Sequence, residues 1–174
     1  MVAAARATAS ADRPTTGGNT MPTVQSDAPA TGAQTELRHE VEEFYARHFQ
    51  AGDGGDAVAW AEGFAVNGSF SSNARPEPVV SRAVILPAVT AMFAARTAEG
   101  VQHRHLLSQL TVEPREDGTV LTRSYVLVVS TPREDGPTLL ASTLVTDVLN
   151  REEGALRILS RHVDRDDLPP TAAL

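Results

Sequence analysis

The run Gln102-His103-Arg104-His105-Leu106-Leu107-Ser108-Gln109-Leu110-Thr111-Val112 reads as a β-strand that sets two imidazoles on one face. Side chains alternate across a strand, so His103, His105, Leu107 and Gln109 share one side, while Arg104, Leu106, Ser108 and Leu110 share the other. Imidazole, amide and aliphatic groups in one row suit a pocket wall better than a dry core, where every polar group must find a partner. A strand-borne histidine is also commonly structural or half exposed, and the run alone does not choose.

Downstream of this run the period stays at two. Strands are expected over 103–113, 119–131, 139–150 and 156–164, separated by Glu116-Asp117-Gly118, by Arg133-Glu134-Asp135-Gly136-Pro137 and by Glu152-Glu153-Gly154. Upstream the period is helical. Thr35 caps a helix whose Leu37, Val41, Phe44, Tyr45 and His48 recur at helical spacing, and Gly52 with Gly54-Gly55 ends it. Asp56 caps a second helix bearing Val58, Trp60, Ala61 and Phe64 and closing near Gly68. A short strand over 69–72 and a loop over 75–78 lead to a third helix over 81–98, which Pro87 kinks or opens and Gly100 stops.

Three helices followed by an antiparallel meander predict an α+β fold: a cone in which three N-terminal helices pack on a curved, mainly antiparallel sheet and enclose a pocket for a small molecule. The domain spans 35–168, between an N-terminal tail over 1–34 and a short C-terminal tail over 169–174. The N-terminal tail is rich in Ala, Thr, Ser, Pro and Gly and reads as disordered. It lacks the apolar stretch of a secretory signal, and Met21 offers an internal start.

Composition narrows the chemistry. Among 174 residues there are 15 Lys+Arg against 22 Asp+Glu, a net charge of −7, and every one of the 15 is arginine. That balance argues against nucleic acid, which needs a basic stripe, and the missing lysine removes Schiff-base and phosphate-loop lysine chemistry. With no cysteine there is no disulfide, thiolate nucleophile or Cys-ligated metal, and a reducing cytoplasm fits. No run approaches the roughly 20 apolar residues of a membrane span. The Ala- and Arg-rich usage has the look of a GC-rich bacterial genome.

The chain resembles the SnoaL-like branch of the nuclear transport factor two-like superfamily, which includes scytalone dehydratase, ketosteroid isomerase, limonene epoxide hydrolase and polyketide cyclases. The resemblance covers about 36–166 and rests on three motifs. These are Asp53-Gly54-Gly55-Asp56 followed by Trp60-Ala61-Glu62-Gly63-Phe64-Ala65, His103-Arg104-His105-Leu106-Leu107 opening the first long strand, and Leu156-Arg157-Ile158-Leu159-Ser160-Arg161 closing the last. Scytalone dehydratase is similar in placing acids and a strand histidine at the positions of Asp53, Asp56 and His105, and the resemblance implies that Asp53 and His105 form an acid/base pair. Gly52 stands where the dehydratase has a tyrosine, and Arg123-Ser124-Tyr125 where it has a second histidine. A related acid/base reaction is implied, not a literal dehydratase.

Single residues then take candidate roles. His105 moves the proton, Asp53 orients it and Tyr125 stabilises developing negative charge. Asp53 has turn chemistry at the helix end as its other reading, and Tyr125 has plain packing. Trp60, Phe64, His103, Gln109, Arg123 and Asp147 are candidate pocket-lining and substrate-binding residues. An inward Asp147 would be a buried acid, although an exposed strand-end Asp is commoner. Arg161 and His162 point oppositely on the last strand, and one of them reaches the cavity. A metal held by His103, His105 and Asp53 or Asp147 lacks a third ligand at diagnostic spacing, so neither metal nor cofactor is expected.

The functional expectation is an enzyme of secondary metabolism that performs cofactor-free cyclisation, dehydration or isomerisation of an apolar polyketide-like compound. The alternative is a non-catalytic ligand-binding or assembly module, such as an oxygenase small subunit, since fold alone does not choose. Under either, a homodimer forms through the outer sheet face, where Leu106, Leu110, Val126 and Val128 need cover.

Overall fold

The computed structural model describes residues 31–75 and 77–169, so the expected tails lie outside the described residues except at their inner ends. Helix α1 (Gly32–Gly54) starts inside the expected tail, ahead of the cap assigned to Thr35. Thr31 supplies the reason: its hydroxyl accepts the Gln34 N–H at 3.3 Å, and Gln34 Oε1 accepts the Thr31 N–H at 2.9 Å. This reciprocal capping box satisfies two amides that the first turn leaves open. Val41, Phe44, Tyr45 and His48 form the buried stripe of α1, as their spacing requires.

Asp56 caps helix α2 (Ala57–Glu62) by accepting the Ala59 N–H at 2.9 Å. The helix is shorter than its apolar set suggests, because the chain becomes strand β1 (Phe64–Ser72) directly after Gly63. Phe64 and Ala65 are both buried, which a strand achieves only when its two faces are covered. Strand β2 (Val79–Val80) pairs antiparallel with β1 and is too short for any period to announce it. Helix α3 (Arg82–Ala98) carries Pro87 within it and buries Ile85, Val89 and Phe93 as a narrow stripe, with Val84 and Met92 exposed.

Strands β3 (Val101–Pro114), β4 (Val120–Pro132), β5 (Thr138–Glu152) and β6 (Ala155–Arg165) form the expected meander. The six-stranded sheet has the order β2-β1-β6-β5-β4-β3, antiparallel throughout except where β1 lies parallel to β6. The fold is therefore α+β with a curved, mixed open sheet under the helices. No helix among the described residues is long and apolar enough to cross a membrane.

Irregularities bend the sheet and change which residues face α1. On β3 the pairing passes from Ser108↔Tyr125 to Thr111↔Arg123, three residues against two, with Gln109 at φ 51. The extra residue reverses the alternation. His103, His105 and Leu107 keep to the helix side, Leu110 joins them as a buried core residue, and Gln109 is exposed. The expected wall position for Gln109 is thus corrected, as is the outward position for Leu110. Val126 is also buried and Val128 half-buried opposite His105, so neither belongs to the outer face.

Candidate active site

Asp53 lies in the last turn of α1, where helix carbonyls have no partners within the helix. Side chains from α3 and β3 supply them. Arg96 Nη2 donates to the Gly52 carbonyl at 2.6 Å, and Gln102 Nε2 donates to the Asp53 carbonyl at 2.9 Å. These bonds tie the end of α1 to α3 and to the start of β3, where Asp53 meets His105. Asp53 Oδ1 lies 2.6 Å from His105 Nδ1, and Oδ2 accepts the His105 backbone N–H at 3.1 Å.

The two-point contact has a chemical consequence. A carboxylate on Nδ1 places the ring proton there and leaves Nε2 as the basic nitrogen. Among the described residues Nε2 makes no protein hydrogen bond, and the His105 side chain is 27% exposed against 9% for Asp53. The unpartnered ring nitrogen is reachable while the carboxylate is sheltered. Phe49 stacks on the His105 ring at 5.4 Å between centroids and 19° between planes. His103 stands two residues away on the same strand face; burial lowers its pKa from the ordinary imidazole value, and the nearby Arg96 charge lowers it further.

Residue 52 is glycine for a steric reason. A Cβ at residue 52 would lie 2.8 Å from Trp60 Cδ1, so the Trp60 indole occupies that space. Trp60 is half-buried and Phe64 wholly buried, their rings 5.0 Å apart. Both build the wall under the site.

A second constellation, not anticipated as a unit, lies deeper. Arg161 is the inward residue of the last strand: Nε donates to Asp147 Oδ1 at 2.9 Å and Nη2 to Oδ2 at 2.7 Å. Asp147 is 0% exposed and Arg161 3%. The Tyr45 hydroxyl donates to Asp147 Oδ2 at 2.8 Å, so its 2.5 Å contact with Thr122 Oγ1 must be donated by the threonine. Burial, then the Asp147 charge, hold the Tyr45 phenol well above its usual pKa.

His48 closes the cluster. Its Nε2 accepts from Arg161 Nη1 at 2.9 Å, which puts the ring proton on Nδ1. Burial, followed by the Arg161 charge, keeps His48 well below its usual pKa and neutral. Nδ1 is buried without a partner, facing Gly63, where a Cβ would collide with it. Gly63→Ala should therefore lower stability by about 1–3 kcal/mol, measured by urea unfolding; an unchanged midpoint would show that the His48 ring moves aside without cost.

Four expected site residues are corrected. Tyr125 is 57% exposed and Arg123 is exposed as well, both on the sheet face away from α1. The buried, inward residues of β4 are Val120, Thr122, Ser124 and Val126. Thr122 and Ser124 look like solvent-facing residues by composition, yet Thr122 is needed inside as the partner of Tyr45. Gln109 is lost to the bulge. Asp147 does point inward, but with its oxygens spent on Arg161 and Tyr45 it has no exposed surface for a substrate. His162 points outward, with Nδ1 2.8 Å from Ser71 Oγ and Nε2 3.1 Å from Asp164.

Tyr45 and His48 carry a signal in the sequence. A phenol and an imidazole on an otherwise apolar helix stripe demand partners. Two open surface hollows, of about 320 Å³ along Leu139–Ser142 with Asp166 and Asp167 and about 480 Å³ along Thr97–Gly100 with Pro132–Asp135, include neither Asp53 nor His105. Among the described residues no group of three His, Cys, Asp or Glu side chains is placed to hold a metal ion.

Known proteins share this architecture. The family model described as a SnoaL-like domain matches residues 33–162. ActVI-ORFA from Streptomyces coelicolor superposes with a TM-score of 0.72 at 31% identity, covering 78% of this chain and 99% of that one. Aln2 from another Streptomyces strain gives 0.69 at 34% identity, covering 76% and 92%. A Catenulispora acidiphila protein in complex with S-DNPA gives 0.69 at 32% identity, covering 77% and 96%. No curated protein sequence matches the chain.

Proposed function

Because the chain belongs to the SnoaL-like domain family and joins Asp53 at the end of α1 to His105 on β3, we propose that it is a cofactor-free acid/base enzyme acting on an apolar, oxygenated, polyketide-like compound. The observation that carries this reading is the 2.6 Å contact of Asp53 with His105 Nδ1, with Nε2 left free of protein partners among the described residues. Cyclisation, dehydration and isomerisation of such compounds share a first step, removal of a proton from carbon beside a carbonyl. His105 Nε2 takes that proton, and the C–H electron pair becomes an enolate. Asp53 holds the imidazolium that forms. Nε2–H then returns the proton, either to a leaving hydroxyl that departs as water or to another carbon.

The enolate oxygen needs a donor, and Tyr125 lies on the wrong face. His103 takes that role here, since a neutral imidazole donates a hydrogen bond without giving up its proton. Phe49, Leu107 and Val128 around His105 supply an apolar wall for the rest of the substrate.

Deuterium uptake tests the shared step whichever product forms. A panel of aromatic β-hydroxy ketones in D2O should gain deuterium beside the carbonyl in an enzyme-dependent manner. Compounds that bind but neither exchange nor react would favour a ligand-binding module instead. Asp53→Asn keeps the shape but not the charge, and should slow exchange by about a hundredfold or more; exchange at the parental rate would remove Asp53 from the mechanism.

We also propose a homodimer through the outer sheet face. Leu106, Leu127 and Tyr125 are all exposed there, with Leu106 directly opposite Leu127 across β3 and β4. Light scattering should give twice the chain mass, falling to one on Leu106→Glu with Leu127→Glu; a monomeric parent protein would dismiss the dimer.

A further inference from the structure

Asp53 alone does not define the orientation of the His105 ring. One hydrogen bond at Nδ1 sets the tautomer but leaves the imidazole free to swing about the bond to Cβ, and χ2 of histidine is a broad torsion. The remaining restraint comes from α1 itself. Phe49 lies one turn before Asp53 on the same helix, and its ring stacks on the imidazole at 5.4 Å and 19°. Phe49 is in turn held from below: the Arg161 guanidinium carbon lies 5.5 Å from its ring centroid, and Tyr45 and His48 are 6.0 and 5.8 Å away. Those three groups belong to the buried cluster around Asp147, which has no exposed surface of its own.

We propose that Phe49 is a positioning residue for His105: it transmits the rigidity of the buried Tyr45–Asp147–Arg161–His48 cluster to the imidazole and holds Nε2 toward substrate. The proposal rests on the reading of His105 as the proton-transferring base, but it concerns ring order and is measured without turnover. It also gives the inner cluster a function. Asp147 and Arg161 do not touch substrate, and their effect on the site passes through one aromatic ring.

The test uses the full chain with 15N-labelled histidine. In the parent protein His105 should show a single tautomer, with the proton on Nδ1 and a slowly exchanging, downfield Nδ1–H signal. Phe49→Leu keeps the apolar volume and removes the planar face. It should leave the proton on Nδ1 but loosen the ring and speed exchange of that proton, by about two- to tenfold. Phe49→Tyr keeps the plane and should restore the parental signal. If Phe49→Leu fails to fold by circular dichroism, Phe49→Met is read in the same way.

Parental His105 signals in a folded Leu or Met variant would overturn the proposal, as would a Tyr variant no better ordered than the Leu one. A well-ordered His105 whose removal leaves turnover intact would sink the catalytic reading alone. Mixed tautomers in the parent protein would sink the Asp53–His105 pairing on which both depend.

Discussion

His105→Ala should reduce solvent-deuterium exchange by about a hundredfold to ten-thousandfold, the range for removing a general base. The loss belongs in kcat, because the imidazole acts on the migrating proton and contributes little surface to binding. The fold should survive the change. Asp53 keeps the backbone N–H of residue 105 as a donor at 3.1 Å, and the helix end it belongs to remains held by Arg96 and Gln102. His105 is partly exposed, so its truncation leaves no sealed cavity. A folded variant that exchanges at the parental rate would remove His105 from the chemistry.

Asp147→Ala should lower stability by about 3–5 kcal/mol, the largest effect expected from a single substitution here. Removing the carboxylate strips Arg161 of its bidentate partner at a position almost without solvent. His48 cannot replace it. It is neutral and already accepts one Arg161 N–H. Tyr45 also loses its acceptor, although Thr122 remains in contact. The stranded cation carries most of the cost, so Asp147→Leu combined with Arg161→Met should be less damaging than Asp147→Ala.

The exposed pair provides the contrast. Arg151 and Glu40 meet at 2.5 Å on the surface and are both about half exposed. Water and salt already compensate such charges, so breaking it with Glu40→Ala should cost under about 1 kcal/mol. Urea unfolding of the three variants compares the two environments directly. An Asp147→Ala midpoint close to that of the surface variant would mean that water reaches Arg161.

Local rules carry far along this chain. The helical stripe of α1, the cap at Asp56, the four long strands and their turns follow from spacing and turn chemistry, and those rules act over a few residues. Local reading places Asp53 at a glycine-rich helix end and His105 at the opening of a strand, whereas their pairing is implied by the family resemblance. Where several residues must count in step, local reading weakens. One extra residue at Gln109 reverses the faces of β3, and no composition marks it.

The sheet face posed a different problem, because bulk and polarity pointed the wrong way on β4. Tyr125 and Leu127 look like inner residues, and Thr122 and Ser124 like outer ones. The choice depends on what α1 brings to that face, and Tyr45 brings a hydroxyl that Thr122 must meet. Sequence by itself determined the three helices, the long strands and their order, and the resemblance it carries pointed to Asp53 beside His105. Tertiary structure decided which strand faces are lined, the parallel pairing of β1 with β6, and the union of Tyr45, His48, Asp147 and Arg161. The physical reason is that a buried polar group is specified by its partner, and these partners lie 14 to 113 residues apart along the chain.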